Sequence, residues 1–401
     1  MKVRIFKSEA KGRVSAPPSK SVAHRALICG ALSEKSNIKN LAFSKDIEAT
    51  LSCLSALGAR AENNDESLYI GSLNPFEPSE NTTLFCNESG STLRFMLPLC
   101  MLSDKKITLT GSERLFSRPL SIYEEIAKQN GILFEKTENS VTVCGKLKAG
   151  DYRLRGDISS QFISGLLFAL PLLNGDSSIE IIGKFESASY VDITISALKT
   201  FGIEIKRQKN TFYITGNQRY QSCDYKVEGD FSNAAFLDGF NLLGGSVSVE
   251  GLNPESLQGD RIYKEIYSAL QKGEKQFDLS DCPDLAPVLF ALSSQFGAEF
   301  TGTKRLKIKE SDRAEAMKKE LSKLGVEIEV FENSVIVKKS ELKAPTEPIC
   351  SHNDHRIVMA LALLLTKTGG IIENAQAVEK SFPDFFETIK KLGIEMEIYD
   401  N

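Results

Sequence analysis

Lysine and arginine recur in this sequence at places where a helix start ordinarily disfavours them. Apolar runs open with Lys20 and Arg25, with Arg94 and with Arg356, and amphipathic runs open near Arg118, Arg313 and Lys380. A helix N-terminus already carries roughly half a positive charge, so cations there are unfavourable unless an anion joins them. A single instance is ordinary solvated charge, worth under ~1 kcal/mol. Repetition at equivalent places is different, because parallel buried helices would point these ends to one side. Ser21, Ser91, Ser159, Ser160 and Gln161 fill the remaining helix heads with hydroxyls and an amide. Backbone N–H groups, hydroxyls and cationic forks together suit phosphate and carboxylate. The chemistry implied is capture of small molecules bearing several negative charges; plain helix caps with surface charge are the alternative.

Acids lie among the cations: Asp284 in CPDLAP, Glu310 and Asp312 in KIKESDR, and Asp354 in NDHR. For Asp284 a helix cap and a proton acceptor are equally open. Asp312 and Asp354 read as groups that orient neighbouring Arg or His side chains. His24 and His355 could do acid–base work, although a structural hydrogen bond is the commoner role near a helix end. No GxxxxGK[ST] run and no Ser-His-Asp set is present. The eight cysteines form no CxxC pair and only three histidines occur, so the thiols read as buried and reduced, and no metal constellation emerges.

The elements that must position these groups repeat. Six polar clusters that lead into small or apolar runs begin at residues 19, 90, 159, 230, 282 and 353, at intervals of 71, 69, 71, 52 and 71. A strand-like run follows most of them, then an amphipathic helix stopped by glycine, then alternating segments with Asn-containing centres that read as hairpins. The unit is β-α-β-α-β-β. Its first helix is apolar all round and should be buried; its second should face water. Three units wrapped round a helical core would make one lobe and six would make two, while the tight period also suits one stacked array.

At 401 residues the chain is too long for one small module, and 41% hydrophobic with 25% charged residues places it among globular proteins. A net charge of −4 argues against a nucleic-acid surface spread over the molecule. The run IVMALALLLT at 357–366 is about half of a membrane span, and the opening residues lack a secretory apolar stretch. A cytoplasmic, soluble protein is expected, without membrane or nucleic-acid partners.

The motifs are specific. PPSKSVAHRAL (17–27), ESGSTLRF (88–95), SRPL (117–120), SSQF (159–162), KIKESDR (307–313), NDHR (353–356) and KSFPDFF (380–386) together resemble the EPSP synthase family of enolpyruvyl transferases, in order and over essentially the whole chain. The resemblance implies a two-lobed inside-out α/β barrel, with residues 1–18 and 229–401 in one lobe, 19–227 in the other, and the active site in the cleft. It implies transfer of the enolpyruvyl group of phosphoenolpyruvate to the 5-hydroxyl of shikimate 3-phosphate, by a monomer without cofactor or metal. It assigns shikimate 3-phosphate to Lys20, Ser21, Arg25, Ser159, Ser160, Gln161, Ser187, Asp284 and Lys309. Phosphoenolpyruvate falls to Lys20, Gly90, Arg118, Gln161, Arg313, Arg356 and Lys380, and catalysis to Asp284, Glu310 and Lys20. Glu88, Phe95, Ser189 and Arg305 depart from the family pattern, at positions read as lying off the core chemistry. The loop GSERLFSRP (111–119) lacks the cysteine of the sister family that uses UDP-N-acetylglucosamine.

Overall fold

Helices with apolar side chains on every side have no face to offer water and must be surrounded. Six such helices form: Lys20–Leu32, Gly90–Cys100, Ser160–Ala169, Phe231–Gly239, Ala286–Ser293 and His355–Thr368. In the last, only Lys367 escapes burial; in Gly90–Cys100 only Ser91 does, and in Ser160–Ala169 only Gln161. These facts come from a computed structural model that describes residues 1–64 and 67–399. Among the described residues, no helix is long and apolar enough to cross a membrane.

The second helix of each repeat buries one face, as in Lys45–Ala56 and Arg313–Lys323. All six stop at glycines 58, 131, 202, 273, 325 and 393, with φ between 71° and 113°. That left-handed region is one a Cβ makes costly, so glycine sets the helix length at each repeat.

The chain divides into two compact units, Met1–Pro17 with Gly229–Asn401, and Pro18–Glu228. Each has its own hydrophobic core. In the unit Pro18–Glu228 three four-stranded sheets share one pattern, a parallel pair followed by an antiparallel hairpin. The sheet of its first repeat takes its outer strand from the unit's far end: Asp224–Lys226 runs parallel to Ser36–Lys39. Within this unit Gly90–Cys100 packs along Ser160–Ala169.

The other unit departs from the expected repeat once. Its sheets of Gln276–Asp278 with Ala298–Thr301, and of Lys2–Ile5 with Gly370–Glu373, have four strands each, but Ser246–Glu250 pairs only with Lys11–Ser15. The fourth repeat therefore has no hairpin: helix Tyr263–Gln271 leads directly to strand Gln276–Asp278. That missing hairpin is the physical content of the short interval of 52 residues. Helices Phe231–Gly239, Ala286–Ser293 and His355–Thr368 pack on one another in this unit.

Candidate active site

In the unit holding Gly229–Asn401, side chains from three segments meet around one guanidinium. Arg313, the first residue of its helix and 1% exposed, donates from Nη1 to Asp284 Oδ1 at 2.7 Å, from Nη2 to Glu310 Oε2 at 2.6 Å and from Nε to Asp354 Oδ2 at 2.9 Å. Arg356 donates through Nη2 to Asp284 Oδ2 at 2.9 Å and through Nη1 to the Asp284 carbonyl at 3.2 Å and to the Ser232 hydroxyl. Lys309 Nζ stands 3.6 Å from Asp284 Oδ1. Lys380 donates to the Asn353 carbonyl at 2.6 Å, next to Asp354.

Local chemistry explains why these groups face each other. Asp354 is the N-cap of His355–Thr368, its Oδ1 accepting from the Arg356 N–H at 3.0 Å, while Oδ2 takes Arg313 and the Ser311 hydroxyl. One carboxylate thus starts a helix and aims an arginine from another segment. Asp312 only caps its own helix, accepting from Glu315 N–H at 3.3 Å. Asp284 does not occupy the N-cap position: it lies inside the short 3-10 turn Pro283–Leu285, whose N-cap is Cys282, and the following helix has Leu285 at its N-cap. The cap reading of Asp284 is therefore wrong.

Burial alone would raise the Asp284 carboxyl, but Arg356, Lys309 and Arg313 together outweigh it and hold the group well below the usual carboxylate range. Desolvation brings Lys309 down to about 8, with Arg313 and Arg305 pushing the same way against Asp284 and Glu310.

The unit Pro18–Glu228 collects its cations on different partners. Lys20 Nζ contacts Asp46 Oδ2 at 2.8 Å. Arg25 donates to the Thr194 hydroxyl at 2.7 Å, the Tyr190 carbonyl at 2.8 Å and the Ser21 carbonyl at 2.5 Å, and its guanidinium lies 5.2 Å from the Phe95 ring centroid. Burial lowers its pKa to about 10. Arg94 donates to Gln161 Oε1 at 2.7 Å and to the Pro119 carbonyl at 3.2 Å, and Gln161 Nε2 donates to Ser91 Oγ at 2.9 Å. Arg118 lies flat against Gly90, where an added Cβ would come 2.7 Å from its Cζ. Ser159 caps its helix by accepting from Gln161 N–H at 3.3 Å; Ser160 is buried, and Ser187, in the left-handed region at φ 56°, precedes the helix Ala188–Thr200.

A model of the EPSP synthase (3-phosphoshikimate 1-carboxyvinyltransferase) family matches residues 6–389. The 3-phosphoshikimate 1-carboxyvinyltransferase of Clostridium kluyveri is 45% identical, covering 98% of each chain, and that of Clostridium novyi is 41% identical over 98% of this chain and 97% of its own. The chain belongs to the EPSP synthase family. Solved EPSP synthase structures from Acinetobacter baumannii share the fold, with TM-scores of 0.78 and 0.79, sequence identities of 22% and 21%, and full coverage of both chains.

Against the EPSP synthase motifs the structure makes several corrections. Lys380 closes the 3-10 helix Ala375–Lys380 and heads no helix, and Arg118 lies in the loop before helix Ser121–Asn130. Arg25 and Arg94 sit in the second turns of their helices, where a first-turn dipole argument does not reach them. Two departures from the family pattern do touch the cluster residues: Phe95 stacks under Arg25, and Arg305, buried and donating to the Ser280 carbonyl at 2.6 Å, adds positive potential at Lys309. His24 is buried, held through Nδ1 to Thr50 Oγ1 at 2.8 Å, and desolvation keeps it neutral. Sequence reasoning missed Asp46, Thr194 and Ser232, because a partner on a different segment leaves no local spacing signal.

Proposed function

We propose that the protein transfers the enolpyruvyl group of phosphoenolpyruvate to the 5-hydroxyl of shikimate 3-phosphate, releasing phosphate and forming 5-enolpyruvylshikimate 3-phosphate. Besides family membership, the observation that carries the reading is Asp284 held between Arg313 and Arg356. Both proposed substrates are polyanions, and both would draw on residues of the two clusters. Shikimate 3-phosphate takes Lys20, Ser21, Arg25, Ser159, Ser160, Gln161, Ser187, Asp284 and Lys309. Phosphoenolpyruvate takes Lys20, Gly90, Arg118, Gln161, Arg313, Arg356 and Lys380.

The double grip on Asp284 supports a particular timing for the proton transfer. A carboxylate gripped by two guanidinium groups is a poor base. When the carboxylate and phosphate of phosphoenolpyruvate claim the arginine donors, the hold on Asp284 weakens and its pKa climbs toward the range of a useful general base. It then accepts the 5-hydroxyl proton as the oxygen attacks, while Glu310 or Lys20 supplies a proton to the methylene carbon. The group that gave the proton, Glu310 or Lys20, then takes one back from the methyl carbon as phosphate departs, which restores the double bond, and the cationic clamps stabilise charge on the leaving group.

The fold reading that accompanies this function is a two-lobed inside-out α/β barrel, three repeats to a lobe, with 1–18 and 229–401 in one and 19–227 in the other. Three sheets and a separate buried helical core within each compact unit support it. The test of function is phosphate release from phosphoenolpyruvate with shikimate 3-phosphate as acceptor, run beside UDP-N-acetylglucosamine. Turnover with the second acceptor alone, or with neither, defeats the proposal.

A further inference from the structure

The segment that launches Asp354 and Arg356 has an unusual backbone. His352 and Asn353 are consecutive non-glycine residues in the left-handed region, at φ 50° and 54°. Each such residue costs of the order of 1 kcal/mol, so a pair persists only where surrounding contacts over-determine it. Those contacts are visible. His352 Nε2 lies 2.7 Å from Glu320 Oε1, and the His352 N–H reaches Cys350 Sγ at 3.4 Å. Glu320, fully buried, also accepts from the Cys350 N–H and from Lys323 Nζ, both at 2.9 Å.

Glu320 belongs to the helix Arg313–Lys323. It follows Arg313 by about two turns, which returns it to the same face roughly 10 Å further along. One helix face therefore grips the 350–354 segment twice, through Arg313 on Asp354 and through Glu320 on His352 and Cys350. Between the two grips lies the Asn353 carbonyl that receives Lys380.

We infer that His352 and Glu320 form a positioning pair for phosphoenolpyruvate recognition: their contact holds the left-handed turn that aims Arg356 and seats Lys380. The pair touches none of the proposed reacting atoms and acts through those two cations. The inference rests on the functional reading above, and it confines the pair's effect to one of the two substrates.

Steady-state kinetics with both substrates, on the full-length protein, test it. His352→Ala should raise the KM for phosphoenolpyruvate about fivefold or more, leaving the KM for shikimate 3-phosphate within about twofold and the melting temperature nearly unchanged. His352→Gly adopts the turn without strain but has no ring, so it should match His352→Ala. His352→Gln carries an amide donor and should recover part of the loss. Glu320→Gln should shift the same KM, and adding His352→Ala to it should cost less than His352→Ala alone.

A glycine variant that behaves as wild type overturns the proposal, because backbone conformation alone would then suffice. Equal changes for both substrates, or a glutamine that recovers nothing, also overturn it. Should Glu320→Gln not fold, the three His352 variants still decide. Normal turnover by the wild type with any of these failures leaves the enzyme assignment standing and removes only the pair. A wild type inert toward shikimate 3-phosphate takes both down.

Discussion

Two buried arginines, Arg313 in one unit and Arg25 in the other, are braced by different kinds of partner. Arg313 places all three of its donor positions on carboxylates, whereas Arg25 is met by a hydroxyl and two carbonyls. A carboxylate brace fixes direction strongly and repays much of the desolvation of a buried guanidinium, and burial notwithstanding, Arg313 is held well above its ordinary pKa. A neutral brace fixes direction and leaves the charge uncancelled, so burial brings Arg25 down to about 10. The first kind gives an anionic ligand something to displace, and so couples binding to the release of an acid. The second offers a charge that is oriented by neutral acceptors.

The largest test of this contrast is Asp284→Asn. An amide cannot take the hydroxyl proton, and loss of a positioned base costs ~10² to 10⁴ in rate. The variant should bind shikimate 3-phosphate yet turn over at least ~100-fold more slowly. Near-full turnover would reduce Asp284 to a mere brace for the arginines. Arg356→Lys comes next: charge is kept, but the planar fork that joins Asp284 to Ser232 is lost, so phosphoenolpyruvate binding should weaken roughly tenfold with shikimate 3-phosphate binding retained. Equal losses for the two ligands would show that the carboxylate-braced cluster does not discriminate between them.

Gly90→Ala sharpens the comparison from the other unit. The new Cβ would push on the guanidinium of Arg118, a flexible tip, so folding should be normal and the KM for phosphoenolpyruvate should rise about fivefold. An unchanged KM would mean that Arg118 does not grip this substrate where it now lies. The smallest effect concerns Lys309, which burial sets near 8. Deprotonation as pH rises through that value removes a positive charge, so calorimetric affinity for shikimate 3-phosphate should fall a few-fold between pH 7 and pH 9. Lys309→Arg should flatten the profile, since guanidinium stays charged; a flat profile in the unaltered protein would take Lys309 out of the contact.

The sequence disclosed what is written in local spacing. Glycine stops, Asn-centred hairpins and helices with apolar residues on every side come through because each follows from neighbouring residues. The short fourth interval was visible as a number, yet its cause, a repeat without a hairpin, emerged only from strand pairing between Lys11–Ser15 and Ser246–Glu250. The cations were found by an argument about first-turn helix dipoles that applies to Lys20 and Arg356 but not to Arg25, Arg94 or Lys380. Those three fit a helix start only where the helix boundaries are placed differently from where they lie. What could not be read were the partners: Thr194 lies far along the chain from Arg25, and Glu320 from His352. Such pairs depend on which faces the finished cores bring together.

The strand Lys2–Ile5 lies between Gly370–Glu373 and Met396–Tyr399. During synthesis it emerges long before both of these partners. Pro18–Glu228 is one continuous stretch that needs nothing downstream for its sheets, so on the ribosome it can collapse while residues 1–17 remain without strand partners. Birth order and assembly order are thus inverted for Lys2–Ile5, and translation speed up to residue 399 becomes a determinant of how long its Val3 and Ile5 are available to chaperones or to a neighbouring nascent chain.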